Sequence, residues 1–573
     1  MKAHRRLQRP SDTPQGADLL TRLYAHRGIH DPAQMDHALA GLAPTQLLSG
    51  VEAASALLQQ ALEERWSILV VGDFDADGAT STALALRALR DMGATRVDYL
   101  VPNRFEYGYG LTPEIVAVAR EREPDLLITV DNGISSLDGV AAAQAAGMKV
   151  LITDHHLPGQ HLPPADAVVN PNLPDDAFPS KALAGVGVIF YVMAALRARL
   201  RATDWFTQRG LAQPNLADLL DLVALGTVAD VVPLDRNNRI LVDQGLRRMR
   251  AGRAVPGIRA LLEVAGRNPA RVVASDVGFA VGPRLNAAGR MDDMSIGIEC
   301  LLTDDPAQAR ALAQTLDDLN RERREVEKDM QEQALVTLET LLAERPDLAH
   351  WHGLCLYEPD WHQGVIGILA SRIKDRVHRP VIAFARADEG NLKGSARSIP
   401  GLHIRDTLEA IATRHPGLIT RFGGHAMAAG LSLPEDHLTP FREAFEATVR
   451  ETLDPRDLEG IIHSDGPLLD HELNLETAER LRAAGPWGQG FPEPLFDGVF
   501  HIRERRPLSD GRHLRLTLQP VDGSVRVNAV AFNIDPEEWP DGLERVHLAY
   551  RLDANEFRGA CTAQLVVEHV VRG

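Results

Sequence analysis

Three aspartates stand at alternate positions in the segment VVGDFDADGAT: Asp73, Asp75 and Asp77. They follow the apolar run Ser67-Ile68-Leu69-Val70-Val71, which predicts a buried strand, and Gly78 with Thr80-Ser81-Thr82 opens a helical pattern behind them. On an extended backbone alternate side chains share one face. Three carboxylates then crowd the end of one strand, where repulsion is tolerable only with shared protons, solvent or bound cations. Oxygen ligands at this density suit Mg²⁺ or Mn²⁺. Asp131 ends the run LLITV and precedes Asn132-Gly133. Alone it reads equally well as a turn or cap residue. Asp154-His155-His156 ends a third apolar run. There a carboxylate beside an imidazole strengthens the metal reading, with Mn²⁺ better matched to histidine than Mg²⁺. Asp230 lies in the apolar string TVADVV. A nearly isolated buried carboxylate is expensive unless paired or ligated, which favours ligation over capping.

Together these groups can hold two divalent ions. Two such ions, roughly 3.5–4 Å apart, clamp the attacking and leaving oxygens of an in-line phosphoryl displacement and activate a water near neutral pH. No Ser/His/Asp order or activated cysteine offers a rival nucleophile, and no GxxxxGK[ST] loop points to ATP hydrolysis.

The elements that must position these residues follow from the hydrophobic pattern. SILVVGDFD, VDYLVPNR, LLITVDNG, KVLITDHH and DAVVNPN are strand signals, the first four separated by helical stretches such as 80–92 and 113–121. Continuous apolar strands alternating with helices predict a parallel sheet. The polar residues come at the carboxyl ends of the strands, where open α/β sheets bind ligands, so the acidic strings converge on one rim. The first 50 residues are mixed and mostly helical in pattern, and 181–250 is helical. A long polar helix is expected from about 306 to 344, solvated or touching a ligand, and in either case a connector between domains. A second α/β unit spans about 350–450. After about 460, five short strands with turns between them predict a small OB-like β-barrel.

The chain has 573 residues, with Lys+Arg 61 against Asp+Glu 79, a net charge of −18. That balance argues against wrapping nucleic acid over the whole surface but allows a local basic groove. Arg503, Arg505, Arg506, Arg512 and Arg515 concentrate positive charge on two neighbouring barrel strands. Arg503 and Arg505, being alternate, are expected on one face as part of a stripe for single-stranded nucleic acid. Phe105, Tyr107 and Tyr109 flank Arg104, a place for base stacking or for ordinary core. The three cysteines, Cys300, Cys355 and Cys561, are far apart and form no CxxC, so neither a disulfide framework nor a zinc site is expected. The basic N-terminus has no apolar segment behind it, and no run of about 18 apolar residues occurs; a soluble cytoplasmic protein is expected.

GDFDADG, VDNGISS and TDHH, in this order and spacing, resemble the DHH phosphoesterase superfamily. VPNRFEYGYG, LVALGTVADVVPL, GPRLNAAGRMDD, WHQGVIGILASR, LKGSARSIPGLH, FGGHAMAAGL and PWGQGFPEPLFDG narrow the resemblance to the RecJ family of single-strand-specific 5′→3′ DNA exonucleases. It covers the chain from about 67 to the C-terminus. The resemblance implies an α/β multidomain fold. An N-terminal extension (1–50) precedes a parallel-sheet DHH domain (51–305) and a connecting helix (306–345). A DHHA1 domain (346–455) and an OB-fold domain (456–573) follow. It implies that Asp75, Asp77, Asp131, His155 and Asp230 ligate two Mn²⁺ or Mg²⁺ ions, with Asp73 and His156 on the metals or just behind them. Arg104, Ser395 and Arg397 would hold the 5′-terminal phosphate, and Tyr107 would contact substrate. His425 would approach the scissile phosphate from the second domain, and Arg284, Asn286 and Arg290 would line the strand's path. Gly394 and Gly423-Gly424 are expected to permit close backbone approach. The implied role is DNA recombination and repair. The implied partners are single-stranded DNA, its binding protein and a RecQ-type helicase. A DHH enzyme of short RNA, cyclic dinucleotides or pyrophosphate would need no barrel, and a non-catalytic scaffold would not be expected to keep every acidic position.

Overall fold

Ile68–Gly72, Val97–Leu100, Leu126–Val130, Lys149–Thr153 and Ala167–Val169 are the five strands of one sheet, and every neighbouring pair is parallel. The computed structural model describes residues 5–11, 17–102, 110–344, 351–387, 390–508, 512–536, 538–557 and 559–571. Along the strands, alternate residues enter two cores. Ile68 and Val70 pack with the helices Ala76–Asp91, Gly185–Ala202 and Leu220–Ala229. Leu69 and Val71 pack with Pro113–Arg120 and Leu137–Ala145. Burial on both faces is why these strands read as unbroken apolar runs. In space Val97–Leu100 lies at one edge, Ile68–Gly72 beside it and Leu126–Val130 next. The chain therefore reverses its direction of travel across the sheet between the strands that precede Asp73 and Asp131. Such a switch point is where an open α/β sheet opens a crevice for ligands.

The chain divides into two compact units, Pro14–Asn320 with Leu481–Glu493, and Met1–Thr13 with Arg321–Arg480 and Pro494–Gly573. The first holds the parallel sheet. In the second, a mixed sheet is ordered Arg421–Gly424, Ala428–Pro434, Asn391–Arg397, Val381–Arg386, Leu354–Tyr357, over a core that includes Phe384, Phe441 and Phe445. Also in the second unit, Phe496–Pro507, Leu514–Pro520, Val527–Ala531, Arg545–Phe557 and Ala560–Val570 close into a five-stranded barrel. No helix among the described residues is long and apolar enough to cross a membrane.

The structure departs from the sequence reading in several places. Among its described residues the N-terminal region holds one helix, Leu19–His26, and three short 3-10 turns. Its start, Arg5–Gln8, is instead a strand paired in parallel with Gly460–His463. Four residues carry no period of their own, and their partner lies far along the chain. The helix Pro306–Glu344 is no polar rod. Ala309, Ala313, Leu316, Asn320, Arg323, Glu327, Met330 and Ala334 are buried on it at alternating spacings of four and three. That is a seam of period 3.5, hidden because three of its members are polar. The barrel arginines are also rearranged. The pairing of Phe496–Pro507 with Leu514–Pro520 slips between Ile502 and Glu504. This bulge breaks the alternation, so Arg503 and Arg505 do not form one stripe. Arg505 bonds the carbonyls of Trp539 and Pro540. Arg506 stands directly across from Arg515, both exposed.

Candidate metal centre and phosphate pocket

The strand Ile68–Gly72 stops before the first aspartate, so the three carboxylates do not share an extended face. Asp75 is instead the N-cap of the helix Ala76–Asp91, and its Oδ1 accepts from the amides of Asp77 (2.9 Å) and Gly78 (3.0 Å). Capping explains the turn: an aspartate satisfies amides that the first turn leaves open. Asp77 lies in that turn, fully buried. Its Oδ2 and Oδ1 accept from the amides of Gly185 (2.6 Å) and Val186 (2.9 Å), which begin the helix Gly185–Ala202. Asn286 Oδ1 accepts from Ala76 N at 2.8 Å and fixes the loop from outside. Two glycines make room for the acids. A Cβ on Gly185 would meet Asp131 Oδ1 at 2.7 Å, and one on Gly226 would meet Asp77 Oδ1 at 2.7 Å.

Asp131 follows its strand in a left-handed conformation, φ +62°, which turns its carboxylate toward the other acids. His155 Nε2 stands 3.2 Å from Asp131 Oδ1 and 3.5 Å from Asp230 Oδ2. Asp230 both ends the helix Leu220–Ala229 and enters the cluster. Asp154 is buried and serves as an organiser: Oδ1 takes the amides of His155 and His156 and lies 2.8 Å from His156 Nδ1, while Oδ2 takes the Ile134 amide. Asn170 and Asn172 donate to the carbonyls of His156 (2.8 Å) and His155 (2.6 Å). The sequence reading places these two asparagines only at the end of a strand; their signal is the NPN turn on the sheet's next strand.

Among the described residues the donor atoms form three groups, Asp131–His155–His156, Asp77–His155–Asp230 and Asp73–Asp75–Asp131, each with its atoms within 4.8 Å of one another. Asp131 and His155 each belong to two of them. Burial and the neighbouring carboxylates push Asp131 and Asp230 well above the usual carboxylate range. Burial and then Asp75 raise Asp77 to about 7. Burial alone would raise Asp154 too, but the His156 hydrogen bond and charge and the amide bonds outweigh it and hold it low. A site in which several carboxylates resist ionisation together, with imidazole beside them, fits divalent cations, whose charge removes the repulsion. Buried Asp230 Oδ2 has no hydrogen-bond partner among the described residues, which fits the same cations.

A second cluster lies within the other unit. Ser395 and Arg397 are alternate residues of the strand Asn391–Arg397. Arg397 Nη1 donates to Ser395 Oγ at 3.1 Å and to the Ala396 carbonyl at 2.8 Å. Burial lowers its pKa, and among the described residues it has no carboxylate partner. A Cβ on Gly367 would lie 2.8 Å from Arg397 Nη2 and 2.9 Å from Ser395 Oγ. Gly367 is in the first turn of the helix Ile366–Val377, so this guanidinium meets the positive end of a helix, an arrangement suited to an anion. Gly394 has a different use from the one expected: a Cβ there would strike Leu431 and Phe384 at 2.6 Å, so it serves core packing. His425 is exposed, its amide donating to Ala428 O at 2.8 Å across a hairpin.

The remaining expected residues separate. Arg284, Asn286 and Arg290 share the helix Gly282–Met291, but the Arg284 guanidinium is buried and held by Asp317 at 2.7 Å and the Ala280 carbonyl at 2.6 Å. Arg104 and Tyr107, with Phe105 and Tyr109, lie outside the described residues.

Three family models match: the DHH family, N-terminal domain, over residues 67–227; the DHHA1 domain over 352–451; and the RecJ OB domain over 464–569. The single-stranded-DNA-specific exonuclease RecJ of Dickeya dadantii is 60% identical over 553 residues, 96% of each chain. That of Escherichia coli is 56% identical over 562 residues, 98% of this chain and 96% of its own. The crystal structure of RecJ in complex with Mn²⁺ from Thermus thermophilus matches with a TM-score of 0.81 at 32% identity, over 100% of this chain and 80% of that one. A structure of the same protein with Mg²⁺ matches at 0.74 and 30% identity, over 100% and 79%.

Proposed function

The chain belongs to the RecJ family, and on that premise we propose that it degrades single-stranded DNA from the 5′ end. It hydrolyses phosphodiester bonds with two divalent cations and releases 5′-mononucleotides, in recombination and repair in the cytoplasm. The observation that carries this reading is the set of three donor groups, two of them sharing Asp131 and two sharing His155. Shared donors of this kind suit a pair of ions rather than one.

Asp73, Asp75, Asp77, Asp131, His155 and Asp230 would hold the two ions, with Asp131 and His155 each offered to two of the donor groups. Bound divalent cations supply an activated water and neutralise charge on the scissile phosphate. Asp154 holds the His156 ring, and Asn170 and Asn172 hold the backbone of the histidine pair, so the site is assembled before substrate arrives. In the second unit Ser395, Arg397 and the first turn of Ile366–Val377 take the terminal phosphate. Arginine suits that task because its planar fork stays charged. His425 acts on the scissile phosphate, and Arg104 and Tyr107 on the end of the strand. Asn286 and Arg290 border its path, while Arg284 supports the helix that carries them. The division of labour follows the boundaries 51–305 for the metals, 346–455 for the phosphate and 456–573 for the longer strand, with 306–345 between them. Single-stranded-DNA-binding protein and a RecQ-type helicase are the proposed partners.

Product analysis on single strands labelled at either end tests the reading. With Mn²⁺ or Mg²⁺ the 5′ label should appear at once as a mononucleotide, while 3′-labelled strands shorten stepwise. Early release of the 3′ label, or internal fragments, would overturn it.

A further inference from the structure

Directly beside the metal centre the backbone departs from regular geometry twice. Val231, the residue after Asp230, is left-handed with φ +62° and is 62% exposed. A β-branched residue in that conformation is strained, and such strain persists where surrounding structure enforces it. Against the same helix end lies Val277–Val281, a π-helical turn. A Cβ on Gly278 would meet Val228 Cγ1 at 3.1 Å, and one on Gly282 would meet Ala229 Cβ at 3.1 Å, so the turn is seated on the residues just before Asp230. Val277, Ala280 and Val281 are buried, but Phe279 is 77% exposed. The wide turn is supported from within, because Arg284 binds the Ala280 carbonyl and is itself locked to Asp317.

Single exposed apolar side chains are ordinary. This one differs in its mounting. A π turn inserts one residue into a helix and re-aims those around it, and such turns gather at functional sites. Here it presents a ring to solvent from a turn seated on Val228 and Ala229, the residues that lead to Asp230. A ring with an open face beside a phosphodiester centre fits a nucleobase, because every base has a π face. We propose that Phe279 stacks on a base of the single-stranded substrate as the strand passes the metal centre. This rests on the reading of the site as a single-strand nuclease. Stacking contributes hold on the strand without base preference, as an enzyme that digests any sequence needs.

The test uses the full chain, with Phe279→Ala, Phe279→Leu and Phe279→Trp, on single strands carrying one abasic position moved stepwise from the 5′ end. Wild type should slow at one position of the abasic site. Phe279→Ala should raise KM roughly 5- to 100-fold, the span of a single stacking contact, with a smaller change in kcat, and should lose sensitivity to that position. Phe279→Trp should restore both. A 2-aminopurine placed there should be quenched by wild type and by Trp, and not by Ala or Leu. Unchanged KM and retained abasic sensitivity in Phe279→Ala would overturn the proposal, as would a Leu variant equal to wild type. Wild-type protein that digests no single strand would overturn the nuclease reading itself, a separate outcome.

Discussion

Asp131 shows what one residue does in this site. Its backbone is left-handed, its carboxylate is buried, and its donor atom falls in two of the three candidate donor groups among the described residues. Burial and four neighbouring carboxylates hold its pKa far up, so the acid weakens the metal-free fold. Asp131→Asn should therefore lower kcat by about 10²–10³-fold or more, the size of losing one electrostatic stabiliser. The metal-free variant should melt no earlier than wild type; near-normal turnover would remove Asp131 from the mechanism. At the other cluster, Arg397→Ala removes a guanidinium with no carboxylate partner among the described residues. Activity on 5′-phosphorylated ends should drop about 10- to 100-fold, the span of a charged hydrogen bond, with much less change on 5′-hydroxyl ends. Equal losses on both would exclude the phosphate role. The clustering acids were legible in the sequence because carboxylates at strand ends have few structural uses. Their supports were not. Asn170, Asn172 and Gly185 act through backbone and close contact, which residue type alone does not announce.

Among the elements, the parallel strands were the plainest in sequence, since burial on both faces leaves an unbroken apolar run. The seam of Pro306–Glu344 was not, because Arg323 and Glu327 sit in it as a buried ion pair (2.9 Å), with Arg372 also on Glu327. The bulge at Arg503 was equally silent: one extra residue inverts the face of all that follow. Arg5–Gln8 was missed because its partner is remote. Its attachment gives a prediction. Arg9, next to this strand, grips Asp497 of the barrel through two hydrogen bonds, with Ser464 and His547 on the same carboxylate. Burial would raise Asp497, but these partners outweigh it and hold its pKa below the ordinary aspartate value of 3.8. A carboxylate with a depressed folded pKa stabilises above its unfolded pKa and loses that stability as pH falls through the folded one. Denaturation of the full chain should show this loss below about pH 4. Asp497→Asn should remove that part of the slope and cost about 2 kcal/mol at neutral pH. An unchanged slope would show that the carboxylate carries no such linkage.

For the whole molecule, a net charge of −18 leaves local basic surfaces to hold a polyanion. Deleting the chain from about 460 onward is a poor test of the barrel, because Leu481–Glu493 belongs to the unit of the parallel sheet and Phe491 is in its core. Exchanging Arg506 and Arg515 for glutamine is cleaner, since both are exposed and face each other. Binding of long single strands should weaken, and the dependence of log affinity on log salt should become shallower by about 0.7 for each lost phosphate contact. Identical slopes would mean that this face of the barrel does not meet DNA. Anomalous diffraction from Mn²⁺-soaked crystals of wild type and Asp131→Asn shows whether one acidic cluster at the sheet's switch point holds a pair of ions. Wild type should give two peaks roughly 3.5–4 Å apart, flanking Asp131, with at least one lost in the variant. Fewer than two peaks among these residues in protein that cleaves, or both peaks undiminished in Asp131→Asn, would contradict such a pair.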